Sequence, residues 1–191
     1  MKTKKQYSLS ILIVTVLVFL DQITKYLAVI FLKDKPAIPI IENVFELKYL
    51  ENTSAAFGMD PISFLHNIFQ FEIFNSDPTL YLNVRMTFFY LLTIIMIAVL
   101  TWIFTRIPLQ RRFFYMDIIM LFMIAGAIGN FIDRFVQQYV VDFLYFKLIN
   151  FPIFNVADIY VTCAAFALFI LGIFYYKDED IDIIFPSKKE R

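Results

Sequence analysis

Cysteine, histidine, tryptophan and glycine are all scarce in this chain: one Cys, one His, one Trp and four Gly among 191 residues. A lone thiol, Cys163, allows no disulfide within the chain and no cysteine cluster for a metal. With His66 as the single imidazole, zinc chemistry is poorly supported too. Net charge is zero, from 17 basic and 17 acidic side chains, so no global field argues for nucleic acid as a partner. There is no internal repeat, no low-complexity tract and no soluble domain large enough to fold independently. What fills the sequence is apolar: 60% hydrophobic residues, 24 Phe, 11 Tyr and a mean hydropathy of +0.70. This is a membrane composition.

Four apolar runs reach the ~20 residues that a helix needs to cross ~30 Å of hydrocarbon. They lie at roughly 9–32, 84–105, 113–132 and 155–176. Basic residues cluster before the first run (Lys2, Lys4, Lys5), between the second and third (Arg106, Arg111, Arg112) and at the end (Lys188, Lys189, Arg191). An even number of spans puts all three clusters on one side, which the positive-inside rule makes cytoplasmic. The loops at about 33–83 and 133–154 then face outward. MKTKK followed by SILIVTVLVFL has the look of a signal peptide, but no small-x-small cleavage site follows and the run continues through DQITKYLAVIFL. An uncleaved first span is expected. The whole chain, 1–191, is read as a single integral membrane domain.

Within the first outer loop, residues 37–58 lie between prolines and alternate partially in IENVFELKYL, which points to a short β-hairpin or cradle. From Met59 to Asn83 the loop is rich in Phe and Ile. Phe64, Leu65, Ile68, Phe69 and the stretch Phe71 to Phe74 fit either an amphipathic segment on the outer membrane face or an apolar loop packed on the span ends.

Ionisable side chains at membrane depth cost about 3 kcal/mol on insertion scales, so they face a protein interior or mark function. Asp21 and Lys25 stand four residues apart on one face of span one, acid before base. A self-neutralising structural pair and a functional pair both fit that spacing. Span three ends in AGAIGNFIDR, where Ala125, Gly126, Ala127 and Gly129 permit close approach of a neighbouring backbone, and Asn130 and Asp133 sit one turn apart before Arg134. Asp133 lies 20 residues beyond Phe113, about 30 Å at ~1.5 Å per residue, and so belongs at the outer interface. VVDF supplies Asp142. FNVAD, at the start of span four, repeats the one-turn spacing with Asn155 and Asp158.

Three carboxylates, two amides and a guanidinium thus gather at one depth. A polar interfacial belt needs no carboxylates. Two carboxylates held close share a proton, so that one acts as base and the other as acid, and such a pair activates water and protonates a leaving amine without metal, Ser or Cys. Asn and Arg beside them can orient a substrate backbone.

DQITKYL (21–27), NTSAAFG (52–58), AGAIGNFIDR (125–134) with VVDF (140–143), and FNVAD (154–158) resemble, in order and spacing, the motif blocks of lipoprotein signal peptidase, signal peptidase II. The likeness runs from Asp21 to about span four. It implies an all-α membrane protein with four transmembrane helices and a small extracytoplasmic β-cradle. It also implies an aspartic endopeptidase of the bacterial plasma membrane that removes the signal peptide of prolipoproteins just before the diacylglyceryl-modified cysteine, and that globomycin targets. By that similarity Asp142 and Asp158 are the catalytic pair. Asn52, Asn130, Arg134 and Asn155 position substrate, and Asp21, Lys25 and Asp133 support the site. No metal and no cofactor is implied; the expected partners are lipidated prolipoproteins and membrane lipids, not nucleic acid.

Ser54 and Ala125 stand where the family commonly has Gly, and about 25 residues separate Gly58 from span two, which looks like an insertion. The sequence leaves open which aspartate is base. It also leaves two rivals, a small proton-coupled transporter using the intramembrane carboxylates and a non-catalytic scaffold.

Overall fold

The structure, a computed structural model, describes residues 2–54 and 60–186. Ala55 to Gly58 of the NTSAAFG block, Met59, and Lys188, Lys189 and Arg191 of the basic tail lie outside the described residues. Among the described residues four helices have the length and apolarity to cross a membrane: α1 (Lys4–Leu32), α4 (Pro78–Arg106), α5 (Phe114–Gln137, continuous with a 3-10 turn at Arg111–Phe113) and α6 (Val156–Phe174). They match the four apolar runs, and the chain is a multi-pass membrane protein. Exposed Leu9, Phe19, Leu91, Ile95, Phe166 and Phe169 along them are the surface that lipid covers.

Shorter elements fill the loops. Strands β1 (Ile38–Ile41) and β2 (Phe45–Asn52) form the expected hairpin, turning at Asn43 with φ of 59°. Pro39 sits in β1, an edge strand, the kind of position to which proline is confined in sheets. The 59–83 stretch is helical: α2 (Pro61–Phe69) and α3 (Glu72–Ser76). Asp60 caps α2 by accepting from the Ser63 N–H at 3.0 Å, with Pro61 at the first helical position. No α2 residue is buried, and Phe64, Leu65, Ile68 and Phe69 are exposed, in keeping with the amphipathic reading. A second Asp-Pro step, Asp77–Pro78, starts α4, with the Leu80 N–H donating to Asp77 Oδ1.

The 133–154 segment departs from its expected loop character. Residues Val140–Phe146 form β3, which pairs antiparallel with β2 and completes a three-stranded sheet in the order β1-β2-β3. Its first four residues are all buried, so it lacks the in-out alternation that marks a strand in sequence. A further helix, α7 (Asp178–Ile184), follows α6.

The chain divides into two compact units. One comprises Met1–Asp21, Met96–Gly129 and Val156–Arg191; the other comprises Gln22–Ile95 and Asn130–Asn155. The first has a core of Phe104, Ile107, Phe113, Met120, Ile124 and Ala164, closed by Tyr176 and Ile184. In it Lys2 is buried, pairing with Asp117 at 2.9 Å and donating to the Phe104 and Ile107 carbonyls at the end of α4. The second unit holds the sheet and buries Met86, Phe89, Val140, Val141 and Phe143.

Candidate active site

Asp142 lies on β3 opposite Leu50 of β2 and is only 1% exposed. A buried carboxylate needs donors, and two side-chain amides supply them. Asn52, the last residue of β2, donates through Nδ2 to Asp142 Oδ2 at 2.7 Å. Asn155 donates through Nδ2 to Asp142 Oδ1 at 2.6 Å. Asn155 reaches this position because the chain folds back on β3: Phe154 and Leu144 exchange backbone hydrogen bonds at 2.8 and 3.0 Å, and Asn155 follows directly.

The network continues beyond the carboxylate. The Asn155 Nδ2 group also donates to Asn130 Oδ1 at 3.1 Å, and the same oxygen accepts from Lys25 Nζ at 2.9 Å. Lys25 forms a buried ion pair with Asp133 Oδ2 at 3.1 Å; the two side chains are 3% and 4% exposed. Asp133 accepts in addition from Gln22 Nε2 at 2.9 Å and from the Val141 backbone N–H at 3.0 Å, so it ties α1 to the residue beside Asp142.

Arg134 donates to the Ser54 carbonyl at 2.9 Å and lies over the Phe89 ring. A second guanidinium, which sequence reasoning missed, converges on the same turn. Arg85 of α4 donates to the Thr53 carbonyl at 2.6 Å, also reaches the Thr53 and Ser54 hydroxyls, and pairs with Asp60 at 2.5 Å. Nothing in the sequence around Arg85 marks it. Asp60 also went unread, although an Asp-Pro step is a sequence signal for a helix start. On the strand leading to Asn52, the Lys33 ammonium beside Glu51 holds that carboxyl below its ordinary value, and burial pushes the Tyr49 phenol up.

Asp21 and Asp158 belong to the other unit. Asp158 stands half-buried in the first turn of α6. Asp21 is fully buried and accepts the Ala157 N–H at 2.9 Å. The expected small-residue contact is there too: a Cβ on Gly126 would meet the Ala157 carbonyl oxygen and Val161, and one on Gly129 would meet Asp21 Oδ2. Among the described residues no group of three or more His, Cys, Asp or Glu is placed to hold a metal ion.

Residues 13–174 match the family model described as Peptidase_A8, signal peptidase (SPase) II. A lipoprotein signal peptidase of Caldanaerobacter subterraneus subsp. tengcongensis is 36% identical over 167 residues, 87% of this chain and 97% of that protein. The lipoprotein signal peptidase of Brevibacillus brevis is 35% identical over 180 residues, 94% of this chain and 97% of its own length. Among solved structures, a bacterial membrane enzyme superposes with a TM-score of 0.67 at 27% identity, covering 96% of this chain and 94% of that one.

Proposed function

The chain belongs to the signal peptidase II family, and on that premise we propose that it is an aspartic endopeptidase that removes signal peptides from prolipoproteins, with Asp142 and Asp158 as the catalytic pair. The cut falls just before the diacylglyceryl-modified cysteine. The observation that carries this reading is the Asp142 carboxylate of the VVDF block, 1% exposed and held by an amide donor on each oxygen, Asn52 from the NTSAAFG block and Asn155 from the FNVAD block.

The chemistry needs two carboxyl groups with one proton between them. One takes a proton from water as the water oxygen adds to the scissile carbonyl carbon; the other gives its proton to the carbonyl oxygen. In the resulting diol the carboxyl that took the water proton gives it to the nitrogen, the C–N bond breaks as the other carboxylate takes a hydroxyl proton back, and a carboxyl group and a free amine leave. Asn52 and Asn155 act at Asp142, Asn130 joins Asn155 to Lys25 and so to its partner Asp133, and Arg134 holds the turn after Asn52 through the Ser54 carbonyl.

The site lies at the outer interface of the plasma membrane, with both termini and the Arg106–Arg112 link on the cytoplasmic side. The basic clusters and the depth of Asp133 support that orientation. The acyl chains of the substrate sit in lipid and hold the scissile bond at this depth, so the bound geometry supplies rate. A transporter reading has no support in a family of peptidases and is not retained. The test is incubation of the purified protein in detergent with a lipidated prolipoprotein, followed by mass. Asp142→Asn and Asp158→Asn are each expected to abolish the mass shift, and cleavage by either variant at the wild-type rate sinks the dyad. Unlipidated precursor is expected to turn over poorly, and chelators to have no effect.

A further inference from the structure

Side-chain amides usually leave their direction open, because oxygen and nitrogen can exchange places. Around Asp142 the partners fix both amides. The Ser54 backbone N–H can only donate, and it donates to Asn52 Oδ1 at 2.9 Å. The Asn52 carbonyl therefore points to Ser54 and its NH2 to Asp142. On the other side the fixed donor is Lys25. An ammonium has three donors and no acceptor, so the atom of Asn130 at 2.9 Å from Nζ must be the carbonyl oxygen. The atom of Asn155 facing that oxygen at 3.1 Å must then be NH2, and the same NH2 meets Asp142 Oδ1 at 2.6 Å.

We propose that Lys25 is a positioning residue that sets the direction of the Asn130–Asn155 amide relay, so that Asp142 faces N–H donors on both oxygens and takes the base role, leaving Asp158 as the acid. The assignment rests on the dyad reading above and concerns a point that the sequence leaves open, which aspartate is the base. N–H donors bond more strongly to a carboxylate than to a carboxylic acid, so a relay of this polarity favours the form of Asp142 that accepts a proton from water. Reversed, the relay would turn a carbonyl oxygen toward Asp142 and favour the acid form. The path from Lys25 to Asp142 runs through two amides, those of Asn130 and Asn155. Asp133 pairs with Lys25 and is itself held by Gln22, which gives the buried ion pair a purpose beyond packing.

The test compares kcat and KM on lipidated prolipoprotein for the full-length protein in detergent. Lys25→Met alone leaves Asp133 buried and unpaired, so it can fail to fold. Lys25→Met/Asp133→Asn removes both charges, and the amide introduced in place of the Asp133 carboxylate still accepts the Val141 N–H while Gln22 turns its own amide to match. This double variant is expected to keep its unfolding temperature and KM and to lose about tenfold to a hundredfold in kcat, the range for one hydrogen bond to a charged group. Lys25→Arg, which also can only donate, is expected to keep kcat within about threefold, well inside one such bond. A folded double variant with wild-type kcat overturns the inference, as does a loss confined to KM, or a folded Lys25→Arg as slow as the double variant. If Asp142→Asn or Asp158→Asn still cleaves, the dyad reading itself has failed. If both are inactive while the double variant is fast, only the role of Lys25 has.

Discussion

The fully buried Asp21 carboxylate on α1 accepts the N–H of Ala157 at 2.9 Å, so a side chain of the first span caps the first turn of the fourth. The first turn of a helix has N–H groups without partners inside the helix, and Ala157 is itself fully buried, so no water can replace the carboxylate. Asp21→Ala is expected to lower stability by about 1–3 kcal/mol, the cost of an orphaned buried donor. Asp21→Asn, which keeps an acceptor, should lose less than half of that. Thermal unfolding in detergent measures the difference. Because Asp158 is the next residue, Asp21→Ala should lower kcat as well, and equal unfolding temperatures for all three proteins would remove the capping role.

Glycines in the same unit separate into two kinds. A methyl group on Gly126 would lie 2.6 Å from both the Ala157 carbonyl oxygen and Val161 Cγ2, and one on Gly129 would lie 2.5 Å from Asp21 Oδ2. Backbone cannot give way as a flexible side chain can. Gly126→Ala should therefore cost about 1–3 kcal/mol, in the range of overpacked cores. Gly172, on α6, has nothing within 4 Å of its Cβ position. Gly172→Ala should be neutral or stabilise by up to about 1 kcal/mol, through helix propensity alone. Comparable unfolding temperatures for the Gly126 and Gly172 variants would contradict the close approach of α5 and α6.

Arg85 bridges two places that the sequence keeps apart, the Thr53–Ser54 turn and the Asp60 cap of α2. The turn follows Asn52 directly, and Asn52 donates to Asp142, so freedom in the turn becomes freedom at the carboxylate. Arg85→Ala is expected to lower kcat/KM by about tenfold, and Arg85→Lys to recover only part of it, because an ammonium cannot reproduce the fork. Asp60→Asn keeps the helix cap and loses only the charge, so its effect should be smaller. Initial rates over a range of lipidated precursor settle the order, and an Arg85→Ala protein as efficient as wild type would leave the residue a structural ion pair alone.

The spans were legible because a bilayer imposes length and apolarity on every crossing segment, whatever its neighbours. Span two began earlier than expected, at Pro78 instead of about residue 84, although Asp77–Pro78 carried a cap signal. Strand β3 escaped because its register is set by β2, some 90 positions earlier, and because Val140–Phe143 is buried without alternation. At the site, residue types and their spacing picked out Asn130, Asp133, Asp142 and Asn155, which one network of hydrogen bonds and an ion pair connects. Which atom of each faces its neighbour did not show, since Asn130 and Asn155 take their direction from Lys25, more than 100 residues before them. Arg85 was invisible for a similar reason: its partners lie across a loop, and no spacing rule connects them.

Helix α7 is fastened by a bond that acid should release. Arg112 donates to both oxygens of Asp180 at 2.5 Å and to the Tyr175 carbonyl at 2.9 Å, and beside this guanidinium the Asp180 carboxyl drops from its ordinary 3.8 to about 2. A carboxyl lowered in the folded state contributes its stabilisation fully above the unfolded value. It loses that contribution as pH falls through the folded value. Docking of α7 should therefore be insensitive to pH above about 4 and weaken between about 4 and about 2. The only tryptophan reports on it, since the Trp102 ring packs on Phe185, just beyond α7, at 5.7 Å between centroids. Trp102 fluorescence in detergent should change over that window in the wild type and stay flat in Asp180→Asn, where the loss is already complete. A wild-type signal that is constant down to pH ~2, or an Asp180→Asn signal that titrates alike, would show that Ile184 and the aromatic contact hold α7 without the ion pair.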